Sequence, residues 1–266
     1  MIKNSKSINN KKIPESKDTS WGKVAKWYDE LVEGDDSYQK VVVLPNLLRL
    51  MEIKKGESIL DIACGQGFFA REFAKLGAEV SGADISSELI ELARKNSPEN
   101  IRYIVSPGDK LNVVTDESID KISIVLAIQN IDNYVGVISE CNRMLKKGGK
   151  IYLVLNHPAF RVPQKSDWGF DEKKGVQYRR IEQYLSEVLI NIDMNPGKIG
   201  VEKERTVSFH RPLQSYFKSF FKNGFFVTRL EEWNSHKKSQ VGPRQKAEDR
   251  ARKEIPMFMC IEVEKR

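Results

Sequence analysis

Residues 59–70 read ILDIACGQGFFA. A short apolar run carries one acid, Asp61, then breaks at Gly65-Gln66-Gly67 and restarts as an apolar stretch. That order predicts a buried strand, a tight turn and the first turn of a helix. Gly65 and Gly67 have no Cβ, so the chain can take unusual φ/ψ there and a ligand can approach the backbone closely. The helix that follows aims its free N–H groups into the same space, which suits a carboxylate or phosphate. In an open parallel sheet, such a turn sits beyond the carboxyl end of a strand, where ligands bind near the reversal of strand order.

Outward from this turn the chain alternates. SILDIA, AEVSGAD, IRYIVS, DKISIVLAI and KIYLVLNH read as strands. FFAREFAKLG, SSELIELARKNS and NYVGVISECNRMLKKGG read as helices, closed by Gly77 and by Gly148-Gly149 at the first and last, with Ser86 or Ser87 capping the second. Strands separated by helices of this length predict an α/β fold with right-handed crossovers and a mostly parallel sheet covered on both faces. Upstream, SWGKVAKWYDELV has apolar residues at helical spacing from Ser20, and a second helix runs from about Ser37 to Met51 with Pro45 kinking or restarting it. The rhythm breaks after His157. Residues 158–208 are expected to form an inserted cap with one helix, Val176 to Ile190. Residues 209–266 then complete the sheet through the helix RPLQSYFKSFFKNG and the strands FFVTRLEEW and PMFMCIEVEK. The division is a polar basic tail at 1–19, expected to be disordered, a core at 20–157, the cap, and the C-terminal completion.

The 266 residues suffice for one large domain with an insertion. No apolar run approaches the roughly 20 residues that span a bilayer. The polar N-terminus is not expected to be a secretory signal, which points to the cytoplasm. Cys64, Cys141 and Cys260 are scattered and odd in number, so free thiols are expected and no metal. The net charge of +7 could attract nucleic acid, but much of the excess sits in the N-terminal tail and in residues 237–253, so a solvated basic surface is the simpler reading.

Asp84 ends the second strand in VSGADIS, where a carboxylate can accept both hydroxyls of a ribose. Gly turn and acid together point to a nucleoside-bearing cofactor. Residues 65–70 also satisfy the loose dinucleotide pattern G-x-G-x-x-A. Two features argue against that reading: the sheet begins some 58 residues into the chain, and Asp61 stands inside the apolar strand. A buried carboxylate costs free energy unless donors satisfy it.

Together, ILDIACGQGFFA, GADIS, VLAIQNI and ECNRMLKKGGKIYLVLNH resemble a class I S-adenosylmethionine-dependent methyltransferase, of the small-molecule branch that includes quinone-biosynthesis methyltransferases. The resemblance covers about residues 25–156 and, more weakly, 209–264. It implies a Rossmann-like seven-stranded sheet and S-adenosylmethionine as cofactor, with S-adenosylhomocysteine as product. It implies that Asp61, Ala63, Gly65 and Gly67 line the methionine moiety, that Asp84 holds the ribose diol and that Ile85 packs on adenine. Asp109 would reach the adenine amino group, with Lys110 or Leu111 beside it, and Ala127 and Gln129 would border the sulfonium. Tyr28 in KWYDEL would close over the methionine end, or else serve as an ordinary helix-core tyrosine. SPGDKLN departs from the usual spacing around Asp109.

Methyl transfer from a sulfonium needs alignment above all. A general base is needed where the acceptor must lose a proton. His157, directly after the fifth strand, and His210, before the helix RPLQSYF, are the candidate bases, although each could simply bond backbone at a strand end. His236 lies in a lysine-rich loop and is expected to face solvent. In the cap, Phe160, Arg161, Trp168, Tyr178, Arg179 and Arg180, with Arg211 beyond it, combine flat apolar faces with guanidinium forks suited to an aromatic or anionic acceptor. The same aromatics could instead form the cap's own core. An RNA or protein acceptor and a non-catalytic cofactor-binding role are the competing readings. Against the first, AIQNID follows the fourth strand where one group of base methyltransferases carries Asn-Pro-Pro-aromatic. The acceptor and the oligomeric state are not legible.

Overall fold

A computed structural model describes residues 32–193 and 205–266. The expected helix from Ser20, and Tyr28 within it, lie outside the described residues up to Val32. A π-helical turn, Gln39–Val43, runs without a break into α1, Leu44–Met51, and Pro45, which has no N–H to give to the preceding turn, stands where the two meet. Then follow β1 Ser58–Ile62, α2 Phe68–Lys75, β2 Glu79–Asp84, α3 Ser87–Asn96, β3 Arg102–Val105, β4 Ile119–Val125, α4 Tyr134–Met144 and β5 Leu145–Asn156. After the insertion come α5 Leu213–Lys222, β10 Phe225–Trp233, α6 Gln245–Glu254 and β11 Phe258–Lys265.

The central sheet has seven strands in the order β10-β11-β5-β4-β1-β2-β3. β1 to β5 are parallel, and β11 runs antiparallel between β5 and β10. The order reverses between β1 and β4, and this is the switch point the sequence anticipates. On one face, Leu47, Met51, Phe69 and Phe73 pack on Ile59, Val80 and Val154. On the other, Ile138, Met144, Tyr216 and Phe220 pack on Leu60, Ile122 and Leu153. Each such large apolar side chain contributes about 1.5–3 kcal/mol by burial, so the two layers hold the strand ends in fixed register. All three cysteines are free and buried.

Three expectations need correction. The cap is not helical. Its residues form two hairpins: β6 Ser166–Asp171 with β7 Val176–Ile181, and β8 Val188–Asp193 with β9 Arg205–His210. The expected helix Val176 to Ile190 is therefore strand, loop and strand. The residues explain why. Val176 to Ile181 alternates in exposure, and Trp168, Phe170 and Tyr178 favour a pleated surface. The turn is built by Asp171, whose Oδ1 accepts the amides of Lys173 and Lys174, and by Gly175 at φ +62°. Because β9 runs to His210, the core resumes at Arg211 rather than at 209. Next, α4 stops at Met144, not at Gly148-Gly149, because Leu145 already pairs with Ile119 in the sheet. The basic stretch at 237–253, read as solvated, carries the helix α6, of which Ala251 alone is buried.

Candidate cofactor site

At the carboxyl ends of β1, β2 and β4 lies a cavity of about 580 Å³. Its floor is Ala63, Gly65 and Asp84, its walls include Ile85, Leu89, Asp109 and Ala127, and its roof is Leu189, Thr206, Val207 and Phe209 from the second hairpin. A smaller cavity, about 340 Å³, opens at the amino ends of β1, β4 and β5. It is floored by ion pairs such as Lys121–Glu57 and Lys150–Glu262, which leave its central charges neutralised. The first cavity is the one that carries the glycine turn and Asp84 on its floor.

The backbone makes the floor. Gly65 takes φ +55° and Gly67 φ +82°, as the glycine turn demands. Ala63 and Leu126, at the ends of β1 and β4, also have positive φ, at 56° and 53°. Side-chain-bearing residues rarely adopt that conformation, and it clusters where surrounding structure enforces it around ligands. Nothing in the sequence marks Leu126 for it. Gly67 itself is not in the lining. A Cβ there would lie 2.3 Å from Oη of Tyr103, so close packing against β3 as well as φ requires glycine.

Asp84 ties the turn to the second strand. Its Oδ2 accepts the Gly65 N–H at 2.9 Å, and its Oδ1 accepts the Ser86 N–H at 2.9 Å. Burial still pushes its carboxyl above the ordinary range, against these backbone donors. Ser86 caps α3 by accepting the Leu89 N–H. Glycine and acid, one strand apart, thus form one continuous surface on which a single nucleoside can rest.

Asp61 is 1% exposed and lies behind the lining. Its Oδ1 accepts from Ser123 Oγ at 2.7 Å, while Oδ2 is buried without a partner. Burial raises its pKa to about 7, outweighing the Ser123 bond, and the Asp84 charge adds to the rise. A buried acceptor without a donor is costly. A ligand ammonium next to it would supply the missing donor, so the residues present fit the cofactor that the sequence resemblance implies. On the far wall, Asp109 accepts from Asn133 Nδ2 at 2.7 Å, and Asn133 also lines the cavity. Asp132 and Asn133 went unnoticed in the sequence, where only their place after the fourth strand could have marked them.

Several predicted residues lie elsewhere. Lys110 is exposed and outside the lining. Gln129 donates through Nε2 to the Leu126 carbonyl at 2.7 Å and holds the loop rather than lining it. His157 is buried beside β10. Ala159 N–H donates to its Nδ1, so Nε2 carries the proton shared with Glu232 Oε1 at 2.6 Å. Burial outweighs Glu232 and lowers its pKa, and the ring lies outside the cavity lining. His210 donates from Nε2 to the Tyr184 carbonyl at 2.8 Å, and only its neighbours Phe209 and Val207 reach the cavity. Phe160 stacks on His157 with ring centroids 4.6 Å apart. Tyr178 covers Gly169 on the exposed first hairpin. Arg211, 5% exposed, donates to the carbonyls of Ile128, Ile131 and Asp132, and its guanidinium lies 4.3 Å and 4.7 Å from the ring centroids of Tyr134 and Phe209. It fastens the insertion to the loop after β4. Among the described residues no cluster could hold a metal, and no helix is long and apolar enough to cross a membrane.

Comparison with known proteins agrees with this geometry. Residues 60–153 match the family described as methyltransferase domain. The demethylmenaquinone methyltransferase of Tropheryma whipplei is 32% identical over 113 residues, 41% of this chain and 46% of that protein. The ubiquinone biosynthesis O-methyltransferase of Xanthomonas oryzae is 29% identical over 136 residues, 48% and 55% of the two chains. The chain thus spans about half the length of the curated relatives it matches. An S-adenosylmethionine-dependent methyltransferase structure from Mesorhizobium loti superposes with a TM-score of 0.67, at 23% identity, over 87% of this chain and 99% of that one. That likeness establishes the fold.

Proposed function

We propose that this chain, a class I S-adenosylmethionine-dependent methyltransferase by its fold and by the methyltransferase domain at residues 60–153, transfers a methyl group from S-adenosylmethionine to a small aromatic acceptor. The observation that carries the reading is the joined floor: Asp84 bonded to Gly65 at 2.9 Å, with the unpartnered Oδ2 of Asp61 behind it. In this reading Asp61 takes the amino group of the cofactor and Asp84 its ribose diol. Ile85 and Leu89 cover adenine, Asp109 meets its amino group, and Leu126 and Ala127 border the sulfonium. The bound cofactor supplies a methyl group already activated by positive charge.

The chain's own work is then alignment and exclusion of water, which can contribute about 7–11 kcal/mol to an in-line displacement. The roof residues Leu189, Val207 and Phe209 are apolar, and this favours an acceptor with a flat aromatic face over a polynucleotide. Acceptors of the quinone type, named for the two curated relatives, suit that surface at an oxygen or a ring carbon. Neither histidine lines the cavity, so a proton lost by the acceptor would pass to a cavity carboxylate or to solvent.

Calorimetric titration with S-adenosylhomocysteine tests the cofactor site, and micromolar binding abolished by Asp84→Ala is expected. A labelled-methyl assay on cell extract, fractionated into metabolites, RNA and protein, tests the acceptor class. Label in the RNA or protein fraction would overturn the small-molecule reading, and tight binding without any transfer would leave only a sensor.

A further inference from the structure

The first hairpin carries a cationic cluster that the cofactor cavity does not use. Arg161 follows β5, whose neighbour β4 ends at the cavity wall, and Leu126 N–H donates to Val154 of β5 at 2.7 Å. The cluster therefore stands on the same edge of the sheet as the cavity, one strand over. Two guanidinium groups lie over the Trp168 ring, Arg161 at 5.8 Å and Arg179 at 5.1 Å from its centroid. Arg179 is tied down by bonds to the Phe160 carbonyl and to Ser166. Arg252 of α6 is held through Nε by Ser239 Oγ at 3.1 Å.

Arg161 is different. Its Nε is buried with no partner, and among the described residues no acceptor is bonded to its guanidinium. Burial, Arg179 and Arg252 all depress its pKa, and Tyr38 alone acts the other way. The carboxylates on the segments that carry the cluster have other partners, Glu232 among them, bonded by His157. Asp36 is bonded by His236 and Lys237, and Asp249 accepts the Ser239 N–H. Asp167 acts on Arg179. A second buried nitrogen without a partner, Nδ1 of His236, belongs to the ring packed edge-on against Tyr38 at 5.1 Å. Three arginines gathered with no carboxylate on the central one leave an open place for an anion. A free guanidinium fork binds carboxylate or phosphate with paired bonds.

We propose that Arg161, backed by Arg179 and Arg252, is an anion subsite that takes a carboxylate or phosphate group of the methyl acceptor. The existence of the site stands on the cluster alone, and its assignment to the acceptor rests on the methyl-transfer reading.

Thermal unfolding of the full chain with inorganic phosphate or benzoate, against chloride at equal ionic strength, tests it. We expect saturable stabilisation of the wild type, with affinity about tenfold weaker in Arg161→Gln and intermediate in Arg161→Lys, which keeps the charge but not the fork. Affinity for S-adenosylhomocysteine should stay within about twofold of wild type in both variants, since Arg161 is outside the cofactor floor. The Arg161 Nε–H resonance of the unmutated protein should shift on phosphate addition, a readout that needs no variant to fold. An equal anion response in wild type and Arg161→Gln, or no saturable response and no shift, would overturn the proposal. Failure of S-adenosylhomocysteine to bind the wild type would sink the methyl-transfer reading while leaving the anion result standing.

Discussion

Arg211 and Arg161 flank the two hairpins of the insertion, and their surroundings differ in one respect. Arg211 gives its hydrogen bonds to three carbonyls and lies against two rings. Arg161 is partly buried with its Nε unanswered. The same contrast recurs on the cofactor floor. Asp84 has both oxygens occupied by backbone amides, while Asp61 has one oxygen bonded and one bare. Groups closed by the chain itself build the site. Groups left open mark where a ligand completes it, because an unmet buried polar group lowers stability unless function retains it.

The largest effect should come from a closed group that also faces the ligand. Asp84→Ala leaves two backbone amides without acceptors and, in the proposed reading, removes the ribose contact. S-adenosylhomocysteine affinity should fall about 100-fold or more, since each charge-assisted bond contributes about 1.5–3 kcal/mol. Calorimetry reads this directly, and unchanged affinity would end the ribose assignment.

Next comes Arg211→Gln. It orphans carbonyls in the loop after β4 and should cost about 2–4 kcal/mol in denaturant midpoint experiments. Cofactor affinity should weaken as well, because that loop lines the cavity. A variant as stable as wild type would erase the distinction between the two arginines.

Asp61 should give a smaller, pH-dependent effect. Its folded pKa of about 7 exceeds the ordinary carboxylate value, so the ligand-free fold holds an extra proton between about pH 4 and 7. Stability of the free protein should therefore fall as pH rises through that window. Binding of an ammonium-bearing ligand should run the other way and be about tenfold stronger at pH 8 than at pH 6, as the carboxylate forms. Asp61→Asn should flatten the binding slope and reduce the stability slope, to which Asp84, also raised by burial, contributes. If the two slopes survive unchanged in the variant, another group carries them.

The smallest effect on stability should be that of Arg161→Gln. No hydrogen bond is lost, and the contact with the Trp168 ring is long at 5.8 Å, so the change should lie within about 0.5 kcal/mol of wild type or be slightly stabilising. A loss as large as that of Arg211→Gln would mean that Arg161 is closed after all.

Residues 59–70 carried much of the fold because the signal there is local. An apolar run, two glycines and an acid at fixed spacing suffice to specify strand, turn and helix, and the acid ending the second strand marks the same edge. The insertion did not read correctly. RRIEQYLSEVLI has apolar residues at spacings a helix would also accept, and only pairing of Val176–Ile181 with Ser166–Asp171, and of Val188–Asp193 with Arg205–His210, decides for strands. The histidines misled for a related reason. A histidine at a strand end is equally placed for catalysis or for a backbone bond, and the partner that settles His157, Glu232, is 75 residues away in sequence.

The sequence by itself determined the alternation of strands and helices, the glycine turn and the acids beside it, because these depend on backbone freedom and on periodicity within about ten residues. Only the tertiary structure decided which polar groups are satisfied. Arg161 and Arg211 are the same residue at the two ends of the insertion. Whether a guanidinium meets carbonyls about 80 residues upstream or only the face of a ring is a property of the packed sheet edge, not of its neighbours in sequence.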